Sequence, residues 1–265
     1  MHAIMLAAGM GLRLSGGDQA IRPKALLRFA GRTLLARHLD ILKRAGVDGL
    51  TLVVGYHREA IEAELAALGA DGFVTTIHNP DYRYGSLVSL WTAREVLASG
   101  RDILFMDADV LYDARLVERL VAAKGTNCIP MDRDFEPGDE PVKLCLTDGR
   151  PVEFRKRVEI AHEVAGEWPG FTAFDAPTAK ELAAALQSFV ELGRLQDPYE
   201  EAMRQVMLAR PDDFAIADIT GLPWIEIDFP EDVARAERDI LPLVDAADQT
   251  RKTYRRPGSR SISGG

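Results

Sequence analysis

Two glycines, two cations and two pairs of carboxylates carry the chemistry open to this sequence. Residues 5–27 read MLAAGMGLRLSGGDQAIRPKALL: an apolar run breaks into Gly9 and Gly11, then Arg13 follows and, after Pro23, Lys24. At the carboxyl end of a strand in an open α/β sheet, such a loop lets backbone N–H groups approach phosphate oxygens, because glycine puts no Cβ in the way. A dinucleotide loop needs G-x-G-x-x-G, but the sixth position is Leu14, and the next apolar run ends in Val54-Gly55 rather than in an acid for a ribose. The pattern G-x-x-x-x-G-K-[ST] is absent as well. Two readings remain: a polyphosphate loop flanked by Arg13 and Lys24, or a tight turn with incidental surface cations.

Asp107 and Asp109 end the apolar run of FMDADVLYD, and Glu226 and Asp228 end WIEIDFPED just before a helix opens at Pro230. Strand alternation sets Asp107 and Asp109 on one face, at the same sheet edge as the glycine loop. Carboxylates beside a polyphosphate hold Mg²⁺, which takes one or two of them together with phosphate oxygens. Each acidic pair alone also reads as a helix cap or a solvated cluster; their coincidence with the loop favours a site. Aromatic faces with a carboxylate such as Glu140 nearby suit an ammonium group, and Tyr82, Tyr84, Trp91, Trp168, Phe171 and Trp224 supply such faces. Trp91 and Phe171 read as core too, whereas Trp168, in the polar GEWPG, is expected at the surface or at a site. Lys143 and Lys156 read either as contacts to an acceptor's phosphate or as solvated hairpin charges.

Positioning these groups requires a sheet, and the chain alternates accordingly. Apolar runs at 3–6, 50–54, 73–79 and 102–110 read as buried strands. Between them lie helical patterns: TLLARHLDILKRAG, with Thr33 to cap it and Gly46 to end it, EAIEAELAALG, a segment from 87 to 97, and one near 114–123. Strands alternating with helices predict βαβ units, hence a parallel sheet covered on both faces. After residue 125 the pattern changes. Asp148-Gly149 sits between two alternating runs over 142–154, a hairpin signal. A strand at GFTAFDA, helices near 178–192 and 197–209, short strands FAIADI and WIEID and a last helix complete a mixed sheet with antiparallel decoration. One domain is expected over 1–245, followed by a basic, disordered tail over 246–265.

At 265 residues, 47% hydrophobic and 28% charged, the chain has a soluble globular composition. No apolar stretch approaches a membrane span and no secretory pattern opens the chain, so a cytoplasmic location is expected. Cys128 and Cys145 have no metal-type spacing and read as reduced thiols or, alternatively, as one disulfide. The net charge is −9; from residue 248 onward five Lys/Arg and one Asp give +4, which leaves −13 on residues 1–247. A body this acidic argues against nucleic acid as a partner.

In order, LAAGMGLRL, RPKALL, VVGYHRE, YRYGSLVSLWTA, DADV and WIEIDFPED resemble the nucleotidyltransferases of the MobA-like and sugar-phosphate type, over most of residues 1–240. Within that group, GYHRE, NPDYRYGSLVSL, GFTAFDAPTA and EID are most similar to the bacterial phosphocholine and 2-aminoethylphosphonate cytidylyltransferases. The resemblance implies a Rossmann-like, mostly parallel mixed sheet and Mg²⁺-dependent transfer of a nucleotidyl group. The donor would be an NTP, CTP by subfamily; the acceptor would be a small phosphorylated or phosphonate compound, with pyrophosphate released. It implies a nucleotide site of Leu6, Ala8, Gly9, Gly11, Arg13, Lys24, Gly85, Ser86 and Asp107. Within it Arg13 and Lys24 are catalytic, stabilising the leaving pyrophosphate. Asp109 and Asp228 would hold the metal, and Tyr84, Glu140, Lys143, Lys156, Trp168 and Trp224 would line the acceptor site. Gly85-Ser86 also reads as a plain helix start. Leu12 departs from the family's Thr or Ser, removing a hydroxyl from the loop, and Arg22 lies where it adds or replaces a phosphate contact. Two alternatives stand beside this reading: a sugar-1-phosphate or inositol-phosphate nucleotidyltransferase, and a nucleotide-binding regulator without turnover. A homodimer is compatible with all three.

Overall fold

The computed structural model describes residues 1–14, 22–136 and 138–254. From the N-terminus, β1 (His2–Ala7) leads through the glycine loop to a small hairpin, β2 (Arg28–Phe29) and β3 (Arg32–Thr33), and then to α1 (Leu34–Ala45). Next come β4 (Leu50–Val54), α2 (Arg58–Ala67), β5 (Val74–His78), α3 (Ser86–Thr92), α4 (Arg94–Leu97), β6 (Ile103–Asp107), β7 (Val110–Tyr112) and α5 (Arg115–Ala122). The second half holds β8 (Asn127–Met131), β9 (Lys143–Thr147), β10 (Arg150–Arg155), β11 (Val164–Glu167), β12 (Phe171–Phe174), α6 (Ala176–Glu191) and α7 (Tyr199–Ala209). It ends with β13 (Phe214–Asp218), β14 (Trp224–Glu226), α8 (Pro230–Arg235) and α9 (Leu241–Tyr254), the last two joined by a π turn.

Seven strands form the main sheet, in the order β13-β8-β12-β6-β1-β4-β5. β1 pairs in parallel with β4 and with β6, and β12 alone runs antiparallel, wedged between β6 and β8. The apolar runs behave as strands covered on both faces. In β1, Ile4 and Met5 enter different hydrophobic cores; in β6, Phe105 and Met106 do the same. One core packs under α1, α2 and α5 through Leu35, Leu39, Ile61 and Leu120. The other packs under α3, α4, α6 and α7 through Leu87, Leu97, Leu182 and Met203. Helices therefore cover both faces, as the alternation predicted.

Local signals behaved as their chemistry requires. The Thr33 side chain accepts from the Ala36 N–H at 3.0 Å and caps α1, and Gly46 ends that helix in the left-handed region. β9 and β10 pair as a hairpin through Asp148-Gly149, both with positive φ. Four expectations need correction. The strand expected over 102–110 stops at Asp107, and 110–112 pairs instead with β14 in a separate small sheet. The helix expected over 87–97 is broken at Ala93. The sequence reading has no strand at β8 or β11; β8 lies between β13 and β12 in the main sheet, and β11 adds to the hairpin beside β9. The tail boundary at 245 is not a break, because α9 runs through it to Tyr254 and its Asp245 and Asp248 pair with Arg37 and Arg44 of α1. The basic segment 255–265 lies outside the described residues. Cys128 and Cys145 are free and buried, which excludes the disulfide reading. Among the described residues, no helix is long and apolar enough to cross a membrane.

Candidate active site

The carboxyl ends of β1 and β6, the start of α3 and the segment after β14 enclose a cleft of about 580 Å³. Leu6, Ala8, Gly9, Gly11 and Arg13 line it from the glycine loop. Gly11 has a φ of 62°, a conformation that strains any residue with a Cβ, and the Leu14 N–H closes the turn onto its carbonyl at 3.2 Å. Lys24 opens the short helical turn Lys24–Leu26, whose Ala25 and Leu26 are buried and hold its side chain at the cleft.

Lys24 lies between two carboxylates. Its Nζ is 2.9 Å from Asp109 Oδ2 and 2.6 Å from Asp228 Oδ1. Burial works against the ammonium charge, but the two carboxylates outweigh it and hold the Lys24 pKa well above its ordinary value. Arg13 reaches the same Asp228 oxygen at 3.1 Å and Glu140 Oε2 at 3.0 Å, with its guanidinium over the Phe229 ring. Pairing of β14 with β7 sets Glu226 opposite Val110 and so brings the Glu226–Asp228 segment beside Asp109. The Ile227 N–H donates to the Asp109 carbonyl at 3.0 Å, and Asp232 accepts from the Asp228 and Phe229 N–H groups, which fixes that segment. Carboxylate oxygens of Asp109, Glu226 and Asp228 all lie within 4.8 Å of one another, a spacing that suits a hard cation. Burial first, and then the charges of Asp109 and Asp228, raise the Glu226 pKa.

Asp107 and Asp109 do not share a strand face, because the strand ends between them. Asp107 turns towards α7, where the Tyr199 hydroxyl donates to its Oδ2. Burial first, and the Asp109 charge second, raise the Asp107 pKa well above the carboxylate range, against the pull of that hydrogen bond. Gly85 is the residue preceding α3, and both readings of Gly85-Ser86 hold geometrically: the pair starts a helix and lines the cleft. The Gly85 N–H donates to the Leu195 carbonyl at 2.8 Å, and Ser86 Oγ accepts from the Tyr199 N–H at 3.2 Å, so α3 is docked on the segment before α7.

The residues expected at an acceptor site divide. Tyr84, 46% exposed, and Lys156 line the cleft. Glu140 stands at its rim, paired with both Arg13 and Lys156. Trp168 is corrected from surface to core: it is 4% exposed, it packs on Phe105 and Phe154, and its Nε1 donates to the Phe171 carbonyl at 2.6 Å. Trp224 points elsewhere, with Nε1 donating to Asp132 at 2.8 Å. Lys143 donates to the carbonyls of Gly138, Pro141 and Lys156 and so ties the hairpin base together. Sequence reasoning missed Tyr199 and Glu200, which also line the cleft. In DPYEEAM they follow a proline at a helix start, where an acid reads as an ordinary first-turn charge; no local signal sets them apart.

Residues 3–190 match the MobA-like NTP transferase domain. The chain belongs to that family. Its NTP transferase domain is similar to the CMP-5'-(3-aminopropyl)phosphonate synthase of Streptomyces rubellomurinus, at 30% identity over 258 residues, 91% of this chain and 39% of that protein. It is also similar to the bifunctional IPC transferase and DIPP synthase of Rubrobacter xylanophilus, at 30% identity over 243 residues, covering 90% of this chain and 52% of that protein. The chain thus spans only part of the length of these two relatives. The structure of CTP:phosphocholine cytidylyltransferase from Streptococcus pneumoniae shares the fold, with a TM-score of 0.70 at 21% identity over 89% of this chain and 97% of that one.

Proposed function

We propose that this domain transfers CMP from CTP to a small ammonium-bearing phosphate or phosphonate and releases pyrophosphate. An acceptor oxygen attacks the α-phosphorus, the new P–O bond forms, and the bond to the β-phosphate oxygen breaks with its electron pair leaving on pyrophosphate. The nucleophile is already an anion, so no general base is needed; the barrier lies in bringing anions together. Arg13 and Lys24, on the rim and floor of the cleft, stabilise the charge that develops on the leaving group. The glycine loop offers backbone donors to the triphosphate, and Gly85-Ser86 bounds the base.

The carboxylates Asp109, Glu226 and Asp228 fit Mg²⁺: they are hard oxygen donors, and an ammonium already settles between two of them. When bound there, Mg²⁺ supplies neutralisation of phosphate charge and alignment of the reacting oxygens. The position of Lys24 between Asp109 and Asp228, beside a glycine loop, is the observation that carries this reading.

A screen of CTP, UTP, GTP and ATP against phosphocholine, 2-aminoethylphosphonate, inositol 1-phosphate and glucose 1-phosphate, read as pyrophosphate release, tests it. CTP with an ammonium-bearing acceptor is expected to give the highest kcat/KM, and EDTA to abolish it until Mg²⁺ is restored. Preference for another nucleotide refutes the CTP assignment. The second reading from the sequence, a sugar-1-phosphate or inositol-phosphate acceptor, takes its place if those compounds give the higher kcat/KM.

A further inference from the structure

We infer that Glu200 is the receptor for the acceptor's ammonium group, and that a second cavity opening off the cleft at Glu200 and Lys156 holds the acceptor's aminoalkyl chain. This rests on the transferase reading of the cleft. The second cavity, about 550 Å³, lies between the hairpin that carries Lys156 and the start of α7 that carries Glu200. Both residues line both cavities, so they mark the junction.

The other charges around the second cavity are largely spoken for. Arg155 pairs with Glu201 at 2.7 Å, and Arg204 pairs with Glu153. Glu200 is different: its Oε2 is buried and has no hydrogen-bond partner among the described residues. Burial is also the main cause that raises the Glu200 pKa. A buried carboxylate oxygen without a donor is unfavourable, and an incoming N–H group of an ammonium relieves it. Lys156, at the same junction, pairs among the described residues with the exposed Glu140 at 3.2 Å, and a turn of its side chain brings it to a phosphate or phosphonate oxygen. A cation and an anion side by side match a zwitterion. Among the described residues no aromatic side chain lines the second cavity, so there a carboxylate rather than an aromatic cage reads the positive group.

The test uses the full chain, saturated with α,β-methylene CTP, and titrates 2-aminoethylphosphonate and ethylphosphonate by calorimetry. The wild type is expected to bind the aminated probe at least tenfold more tightly. Glu200→Gln, an isosteric change checked by thermal melting, is expected to shrink that preference below twofold while CTP affinity stays within twofold. Equal binding of the two probes by the wild type overturns the inference, as does an undiminished preference in the variant. The wild-type comparison needs no variant, so equal binding overturns the inference even if Glu200→Gln does not fold. Pyrophosphate release is scored separately. An ammonium preference without release supports the role of Glu200 and sinks the transferase reading; release without the preference does the reverse.

Discussion

Lys24 joins two acids that would otherwise repel each other across the cleft, and that makes its removal informative. Lys24→Met leaves Asp109 without its cation and Asp228 with Arg13 alone, and on the proposed reading it takes a cation from the leaving group. We expect kcat for CTP-dependent pyrophosphate release to fall at least ~10²-fold, the scale of a lost transition-state donor, with the fold retained. Asp109→Asn is expected to fall by a similar factor; near-normal turnover of Asp109→Asn in Mg²⁺ would remove it from the metal set. Trp168 belongs to a different account. It is buried among Phe105, Phe154 and Tyr199, so Trp168→Ala is expected to cost about 3–5 kcal/mol in urea unfolding, as large core truncations do. A selective rise in KM for the acceptor without loss of stability would return Trp168 to the site.

At the scale of elements, the cleft depends on where α3 begins. A Cβ on Gly85 would collide with the backbone of Gln196 and Asp197, on which the start of α3 rests. Gly85→Ala must therefore push α3 off the segment before α7, parting Ser86 from the Tyr199 N–H. The expected result is a lower melting temperature and a rise in KM for CTP. An alanine variant with unchanged melting and kinetics would show that the segment yields at no cost. The sequence predicts a helix start at Gly85-Ser86, but the close approach comes from residues more than a hundred positions away and has no local trace.

For the molecule as a whole, His38 ties one hydrophobic core to the cleft. It is buried in α1; a carbonyl only accepts, so its Nε2 donates to Ala108 O at 3.1 Å and its Nδ1 accepts from the Tyr112 hydroxyl at 3.2 Å. Burial lowers its pKa from 6.5 to about 4, with the Ala108 bond pulling the other way. Between those values the unfolded chain binds the proton and the native one does not. This part of the stability is therefore complete above pH 6.5 and is lost as pH falls towards 4. Urea unfolding across that range is expected to show the margin of the wild type over His38→Gln shrinking by up to about 3 kcal/mol as pH drops. A margin independent of pH would mean that His38 does not titrate with folding.

Short-range physics made much of this protein readable from its residues. The alternation of buried strands and amphipathic helices, the Thr33 cap, the Gly46 stop and the Asp148-Gly149 turn each follow from periodicity or from the sterics of a few neighbouring residues. The glycine loop, Lys24, Asp109 and Asp228 were named for a different reason: each alone also reads as a turn, a surface charge or a helix cap, and it was their coincidence along the chain and the family resemblance that singled them out. Tertiary structure decided what those signals cannot encode. It inserted β12 antiparallel between β6 and β8, buried Trp168 despite its polar neighbours, and occupied Lys143 with backbone carbonyls. It also turned Asp107 to Tyr199 while Asp109 met Lys24, and left the Glu200 Oε2 atom buried without a donor among the described residues, at the junction of two cavities. Each of these outcomes depends on which distant segments come to lie against one another, and packing across the whole chain, not local spacing, sets that.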